Sequence, residues 1–156
     1  MGRMYSVIFE NVSVSAAQDF FELTPADDKP VAIHAIFLSQ ISDVGDAAEE
    51  MLRLEIVRGH TTGGSGGTGP TPAQLDKSGV AAGCAAEVNN TTIASTGTGV
   101  ILHAEAFNIR SGWAYVPTPE CRPVASQGDT TIVVRLMAAP ADAVTISGTL
   151  IFEEMG

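Results

Sequence analysis

Residues 144–152 of this chain read VTISGTLIF, and apolar and polar residues alternate along this stretch. Successive side chains of a β-strand point to opposite faces, so a period of two predicts a strand with one buried face. The residues that share the apolar face are Val144, Ile146, Leu150 and Phe152. This C-terminal run therefore predicts a half-buried β-strand, and it sets the pattern for the rest of the chain.

The same alternation recurs along the chain, and the only helix candidate is a short one at residues 44–50. Residues 31–40 are apolar on both faces, which predicts a central strand covered on both sides. About eight strands separated by turn residues predict an all-β fold, an antiparallel sandwich of the jelly-roll type, with an open barrel as the competing layout. The predicted strands are 5–14 with a bulge at Asn11, 18–23, 31–40, 51–58, 100–109, 112–116, 130–137 and the C-terminal run.

The length of 156 residues predicts one domain spanning residues 1–156. A chain of this size buries roughly two-thirds of its surface on folding, which is enough for a core without disulfides. Cys84 and Cys121 are therefore expected to be thiols, either buried or at an interface. The N-terminus lacks the apolar segment of a signal peptide. The sequence has no run of about 18 apolar residues, so no membrane-spanning helix is predicted.

The charge of the chain is low and one-sided, with 18 acidic residues against 8 Lys and Arg and a net charge of −10. The basic residues are scattered, whereas binding to nucleic acid needs clustered cations that displace counterions from phosphates. Direct contact with nucleic acid is therefore not expected. Charged residues make up 17% of the chain, against about 25% in a typical soluble protein. Such a surface predicts obligate assembly with copies of the same chain and with other proteins.

Residues 61–98, which we call the arm, contain only three charged residues, although they hold eight of the sixteen glycines. We predict a flexible tip at residues 61–72 and an irregular but ordered arm up to residue 98. Ordering a backbone costs roughly 1–2 kcal/mol per residue, and small side chains bury little area to offset that cost. A neighbouring subunit is therefore predicted to hold the arm. The predicted contact residues are Met4, Tyr5, Gly63, Gly64, Gly66, Gly67, Pro70, Pro72, Val80, Val88 and Ile93.

Two glycine motifs in the arm match catalytic or nucleotide-binding patterns by letter only. Residues 64–69 fit GxGxxG and residues 63–67 fit GxSxG, but both mechanisms require a helix directly after the glycines. Residues 70–72 are Pro-Thr-Pro, which does not begin such a helix. We therefore predict no catalytic residue and no cofactor, and the protein is not expected to be an enzyme.

Three other patterns leave alternatives open. His34, His60 and His103 admit a cupin-like metal enzyme, although ordinary packing is the favoured interpretation and no metal site is predicted. The acids of residues 43–50 fit helix capping better than a calcium site. Trp113 and Tyr115 fall on one strand face, as in glycan-binding platforms, but fit packing better. A tail or baseplate module that binds a receptor or glycan is thus the second functional hypothesis.

Several segments resemble small virion proteins of tailed bacteriophages. The segments that carry this resemblance are residues 4–23 (MYSVIFENVSVSAAQDFFEL), 29–40 (KPVAIHAIFLSQ), 49–59 (EEMLRLEIVRG), 87–92 (EVNNTT), 117–123 (PTPECRP) and 147–150 (SGTL). They span nearly the whole chain and match in layout rather than in a mechanistic motif. The resemblance is to head decoration proteins, also called cement proteins.

The resemblance implies a β-rich structural protein that forms a homotrimer and binds the major capsid protein on the outer surface of the virion. It implies stabilisation of the capsid by clamping neighbouring capsid subunits, after synthesis in the cytoplasm of the bacterial host. It carries over no catalytic residue. An outer position is also compatible with a net charge of −10, because a surface lining packed DNA would favour positive charge.

Overall fold

The alternating segments form antiparallel strands in the computed structural model, which describes residues 2–42, 49–127 and 131–156. Within these ranges there are eleven strands and one short 3-10 turn at Pro119–Cys121. The predicted helix at 44–50 lies, except for its last two residues, outside the described residues. The strands are β1 Arg3–Val14, β2 Gln18–Thr24, β3 Val31–Gln40, β4 Met51–Arg58, β5 Ala73–Gln74, β6 Ala85–Asn90, β7 Val100–Asn108, β8 Trp113–Tyr115, β9 Val124–Ala125, β10 Ile132–Leu136 and β11 Val144–Glu154.

Two antiparallel sheets pack face to face. Sheet A has the strand order β5-β1-β11-β3-β8, with β9 also paired to β3, and sheet B has the order β6-β2-β10-β4-β7. Without the added strands β5, β6 and β9, the two orders become β1-β11-β3-β8 and β2-β10-β4-β7. The chain passes back and forth between the sheets in the manner of an eight-stranded jelly roll. The predicted all-β sandwich is confirmed, and all eight predicted strands are present.

The core lies between the inner faces of the two sheets. It is rich in aromatic rings: Tyr5 stacks on Phe152 with centroids 5.5 Å apart, and Phe9 contacts Phe20 and Phe21 at 5.9 and 5.2 Å. Each fully buried large apolar side chain contributes about 1.5–3 kcal/mol. The predicted inward face of β11 is confirmed, since the residues named for it are buried.

Two β-bulges change which residues face the core. In β1 the pairing with β11 shifts between Phe9 and Val12, at the predicted bulge, where Asn11 has a positive φ of 54°. In β3 the register shifts beside His34, so the inward face switches phase. This shift explains why residues 31–40 look apolar on both faces. The strand is central in sheet A, but the prediction that both of its faces are covered is wrong, because Phe37 is 41% exposed.

Candidate functional site

The arm packs along the rest of its own chain. Residues 62–68 run antiparallel to residues 88–95 and form three isolated bridges, each made of two backbone hydrogen bonds of 2.8–3.1 Å. The bridged pairs are Thr62–Ser95, Ser65–Thr92 and Thr68–Val88. The composition of this segment predicts that a neighbouring subunit holds it, whereas the structure provides backbone partners from the same chain.

The glycines of the arm allow this close backbone approach. A Cβ atom on Gly67 would lie 2.0 Å from the carbonyl oxygen of Val88, and one on Gly64 would lie 2.7 Å from that of Thr92. Neither backbone oxygen can move away without breaking the bridges. The glycine content of the tip therefore reflects packing against residues 88–95.

A buried ion pair fastens the arm to the outer face of sheet B. Arg135 on β10 is paired in register with Asp19 on β2, and its Nε donates to Asp19 Oδ1 at 2.6 Å. Asp19 Oδ2 accepts from the backbone N–H of Ala94 at 2.7 Å, while Arg135 Nη2 donates to the Ala94 carbonyl at 2.8 Å. Both polar groups of one arm residue are thus bound by opposite charges. We call Asp19, Arg135 and Ala94 the anchor.

His60 extends the anchor to the far end of the arm. Its Nε2 lies 3.3 Å from Arg135 Nη1, and its Nδ1 lies 3.0 Å from the carbonyl oxygen of Thr96. Because the guanidinium can only donate and the carbonyl can only accept, these contacts require a neutral ring that is protonated on Nδ1. The Thr131 hydroxyl donates to the His60 carbonyl at 3.2 Å. These bonds connect the residue before the arm, His60, and the end of the arm, at Thr96, to Arg135 of β10 and to the adjacent Thr131.

A small apolar cluster lies beneath the anchored residues. It consists of Val57 from β4, Val133 from β10 and Ala94 from the arm, which are 4%, 0% and 1% exposed. The two valines point to the outer face of sheet B, which would otherwise face water. The arm therefore covers this face with both charged and apolar contacts.

A second polar cluster holds the tip of the arm. Glu22 on β2 accepts from the backbone N–H of Gly64 at 2.8 Å and lies opposite Glu87 on β6. Asn90 donates to Glu87 at 2.7 Å and to Glu22 at 3.4 Å. Burial raises the pKa of Glu22, and the negative charges of Glu87 and Asp19 raise it further, while the bonds from Gly64 and Asn90 oppose the rise.

This raised pKa predicts a pH-dependent stability. The folded state holds the Glu22 proton more tightly than the unfolded state, so the free energy of unfolding falls as pH rises from about 4.5 to the folded pKa. The substitution Glu22→Gln keeps an oxygen acceptor for Gly64 without the charge. We expect a higher free energy of unfolding at neutral pH and a flatter profile above pH 4.5, measured by urea denaturation. A variant with the same pH profile as the wild type would contradict this assignment.

The structure divides the predicted contact residues into two groups. Tyr5, Pro72 and Val88 are buried within the chain itself, and the Tyr5 hydroxyl donates to the Val80 carbonyl at 3.0 Å. The side chains of these three residues offer no surface to a partner. The others lie at least partly on the surface, and their contact role remains a prediction: Met4, Gly63, Gly64, Gly66, Gly67, Pro70, Val80 and Ile93.

The glycine motif does not form an open phosphate cradle. The N–H groups of Gly64 and Gly67 donate to Glu22 and Asn90, at 2.8 and 3.2 Å. Residues 73–74 then form β5 rather than a helix.

Trp113 and Tyr115 form part of a cluster between β7 and β8. Trp113 is only 6% exposed, stacks on Tyr115 at 5.8 Å and donates from Nε1 to Glu105 at 2.9 Å. His103 lies 2.9 Å from the same Glu105 oxygen and 4.5 Å from the Tyr115 ring. The hydrogen bonds from His103 and Trp113 lower the pKa of Glu105. The Trp113 ring is thus packed rather than displayed as a glycan platform.

The three histidines lie in separate environments. His34 contacts Glu153 at 2.8 Å, His60 lies under the arm, and His103 lies on β7. Within residues 2–42, 49–127 and 131–156, no three His, Cys, Asp or Glu side chains are grouped so that they could hold a metal ion. Of the acids in residues 43–50, Asp43 and Asp46 lie outside the described residues. In the same ranges no helix is long and apolar enough to cross a membrane.

Both cysteines are free thiols. Cys84 is buried, and this burial, together with the charge of Glu154, raises its pKa to about 12. Its N–H donates to Glu154 Oε2 at 2.7 Å. Cys121 is exposed. The prediction of a buried thiol is therefore confirmed for Cys84.

The anchor was missed in the sequence because its two charges are 116 residues apart. The available signal was Arg135, a charged residue within the otherwise apolar segment IVVRL of β10. No protein-family model, curated protein or solved structure matches the chain.

Proposed function

We propose that this protein is a structural virion component that decorates and stabilises a bacteriophage capsid by binding its major capsid protein. It binds at the outer capsid surface and does not act as an enzyme. It forms a homo-oligomer, and the resemblance to decoration proteins implies a trimer. It needs no cofactor and does not contact nucleic acid or membrane. The observation that carries this proposal is the anchored arm, whose outer surface is almost uncharged.

The anchor supports an assembly role because it fixes the shape of the arm, although burying its two charges costs free energy. Removing an ion pair from water costs several kcal/mol per ion, which is recovered only where the geometry and the remaining hydrogen bonds are good. Here Asp19 and Arg135 hold a segment of small residues in a fixed shape on the outside of the sheet. A preformed surface of this kind binds a protein partner without a further ordering cost.

Charge also supports this proposal. Residues 61–75 and 88–98 contain no charged residue, although the whole chain carries a net charge of −10. Protein interfaces are depleted in charge at their centre and retain charge at the rim. The arm thus has the low charge of an interface centre, and Ile93, 39% exposed, is one of its exposed large apolar side chains.

The proposal is tested by adding the purified protein to empty capsids, assembled without it, of the phage that encodes it. Sedimentation should recover the protein with the capsids at a saturating stoichiometry. We expect Ile93→Asp to weaken binding about tenfold or more, which is a loss of about 1.4 kcal/mol from a central contact.

The matched control is Val116→Asp, because Val116 is 66% exposed and lies outside the arm. This control should bind as the wild type does, and both variants should melt close to the wild-type temperature. If the two substitutions have the same effect on binding, the arm is not the contact surface. Absence of wild-type protein from the capsid pellet would contradict the proposed function itself.

A further inference from the structure

The outer edge of β7 is open. Among the described residues, β7 pairs only with β4, and none of its nine residues is Lys, Arg or Pro. Natural sheets usually protect such an edge with charge, proline, a bulge, a short strand or a covering segment, and of these β7 has only Glu105 and a bulge at Leu102. The other edges show that protection: β5, β8 and β9 have two or three residues, and residues 62–68 cover β6.

The ladder determines which backbone groups of β7 face outward. Ile109 N donates to Glu50 O at 3.1 Å, and the register is continuous from Met51–Asn108 to Ile56–His103. Hydrogen-bonded pairs alternate in an antiparallel ladder, so the odd-numbered residues from His103 to Phe107 bond to β4. The N–H and C=O groups of Ala104 and Ala106 therefore point away from the sheet, at positions where both residues are exposed.

From this geometry we propose that β7 of one subunit pairs antiparallel with β7 of a second copy, about a two-fold axis at Ala104. This contact goes beyond the proposed capsid binding and does not depend on it. In the proposed trimer it would join subunits of neighbouring trimers.

Charge complementarity selects this register. With Ala104 opposite itself, His103 of each copy lies across from Glu105 of the other, as a non-hydrogen-bonded pair whose Cα atoms are about 4.5 Å apart. Centring the pair on Glu105 would place two carboxylates opposite each other, and centring it on His103 would leave Glu105 opposite an isoleucine. Only the first register pairs each acid with a histidine, twice.

Exposed apolar side chains at one end of β7 also support pairing with a second copy of the chain. Val100 and Ile101 are 44% and 57% exposed on the subunit. In the proposed register they lie beyond the central pairs, at the two ends of the contact. The bulge that leaves Leu102 unpaired with β4 separates the two regions. Pairing would cover both the open backbone groups and this apolar end.

A charge-swap experiment tests this pairing. Ala104→Lys and Ala104→Glu place like charges opposite each other at the two-fold axis, on a side chain that is exposed in the single subunit. Each variant alone should show a lower native mass than the wild type by light scattering, because the contact between copies at the axis is lost. An equimolar mixture of the two should restore the wild-type mass, because opposite charges then meet across the axis.

The control pair is Ala106→Lys and Ala106→Glu, since residue 106 lies opposite residue 102 rather than itself. Each of these variants alone should keep the wild-type mass, and mixing them should not change it. An unchanged mass for either Ala104 variant, or a reduced mass of the single Ala106 variants that mixing restores, would overturn the proposed register. The sedimentation assay with capsids is independent of these masses, so failure of the edge contact and failure of the proposed function are distinguishable.

Discussion

The substitution Asp19→Ala should lower the free energy of unfolding by about 3–5 kcal/mol, because it leaves the Arg135 guanidinium buried without its counter-ion. Asp19 is fully buried, and its two oxygens bind Arg135 at 2.6 and 3.1 Å and the Ala94 N–H at 2.7 Å. Three hydrogen bonds and one ion pair are lost together. For a chain of this size the melting temperature should fall by about 10 °C.

The measurement is urea or thermal denaturation of the variant beside two controls. Arg53→Ala removes an exposed charge from the neighbouring strand β4 and should change stability by less than about 0.5 kcal/mol. The double variant Asp19→Leu with Arg135→Met removes both charges and should recover much of the loss. A single Asp19→Ala variant as stable as the wild type would show that the anchor does not hold the arm.

The substitution Gly67→Ala should have the second largest effect on stability. Its Cβ would lie 2.0 Å from the Val88 carbonyl oxygen, which is a backbone atom fixed by pairing on both sides. Relief requires the tip of the arm to move off β6 and to break the Thr68–Val88 bridge. Overpacking of this kind costs about 1–3 kcal/mol.

The matched control is Gly69→Ala, two residues further along the same segment. The nearest atom to its Cβ would be the Ala86 carbonyl oxygen at 3.6 Å, which is an ordinary contact. This substitution should be neutral or should stabilise the protein by about 0.4–1 kcal/mol, because it restricts the unfolded chain. Hydrogen exchange of the Val88 amide should accelerate only in the Gly67 variant. Equal behaviour of the two variants would contradict the observed path of the tip.

Much of the sandwich is predictable because one side of each long strand faces the core. Strands β3 and β4 begin and end at the predicted residues, and β1 bulges at Asn11 as expected. Strand β6 could not be predicted because its sequence, AAEVNN, shows little alternation of apolar and polar residues. The second face of β3 was misjudged because a bulge changes the phase of the pattern without any signal in composition.

The contacts that hold the arm could not be predicted from the sequence. The arm consists mostly of small uncharged residues, and no single residue in it indicates a packing partner within the chain. The partners are the polar residues of β2 and β10, which acquire this role only when the two strands become neighbours. The backbone groups of β7 that point outward likewise cannot be read from the sequence, because they depend on which residues form hydrogen bonds to β4.

Calorimetry of empty capsids tests our proposal that this protein stabilises a capsid. Capsids of the encoding phage, assembled without the protein, are heated with and without a saturating amount of it. We expect the wild-type protein to raise the melting temperature of the capsid shell, and the Ile93→Asp variant to raise it less at the same concentration. An identical melting temperature with and without the wild-type protein would show that the protein does not stabilise the capsid.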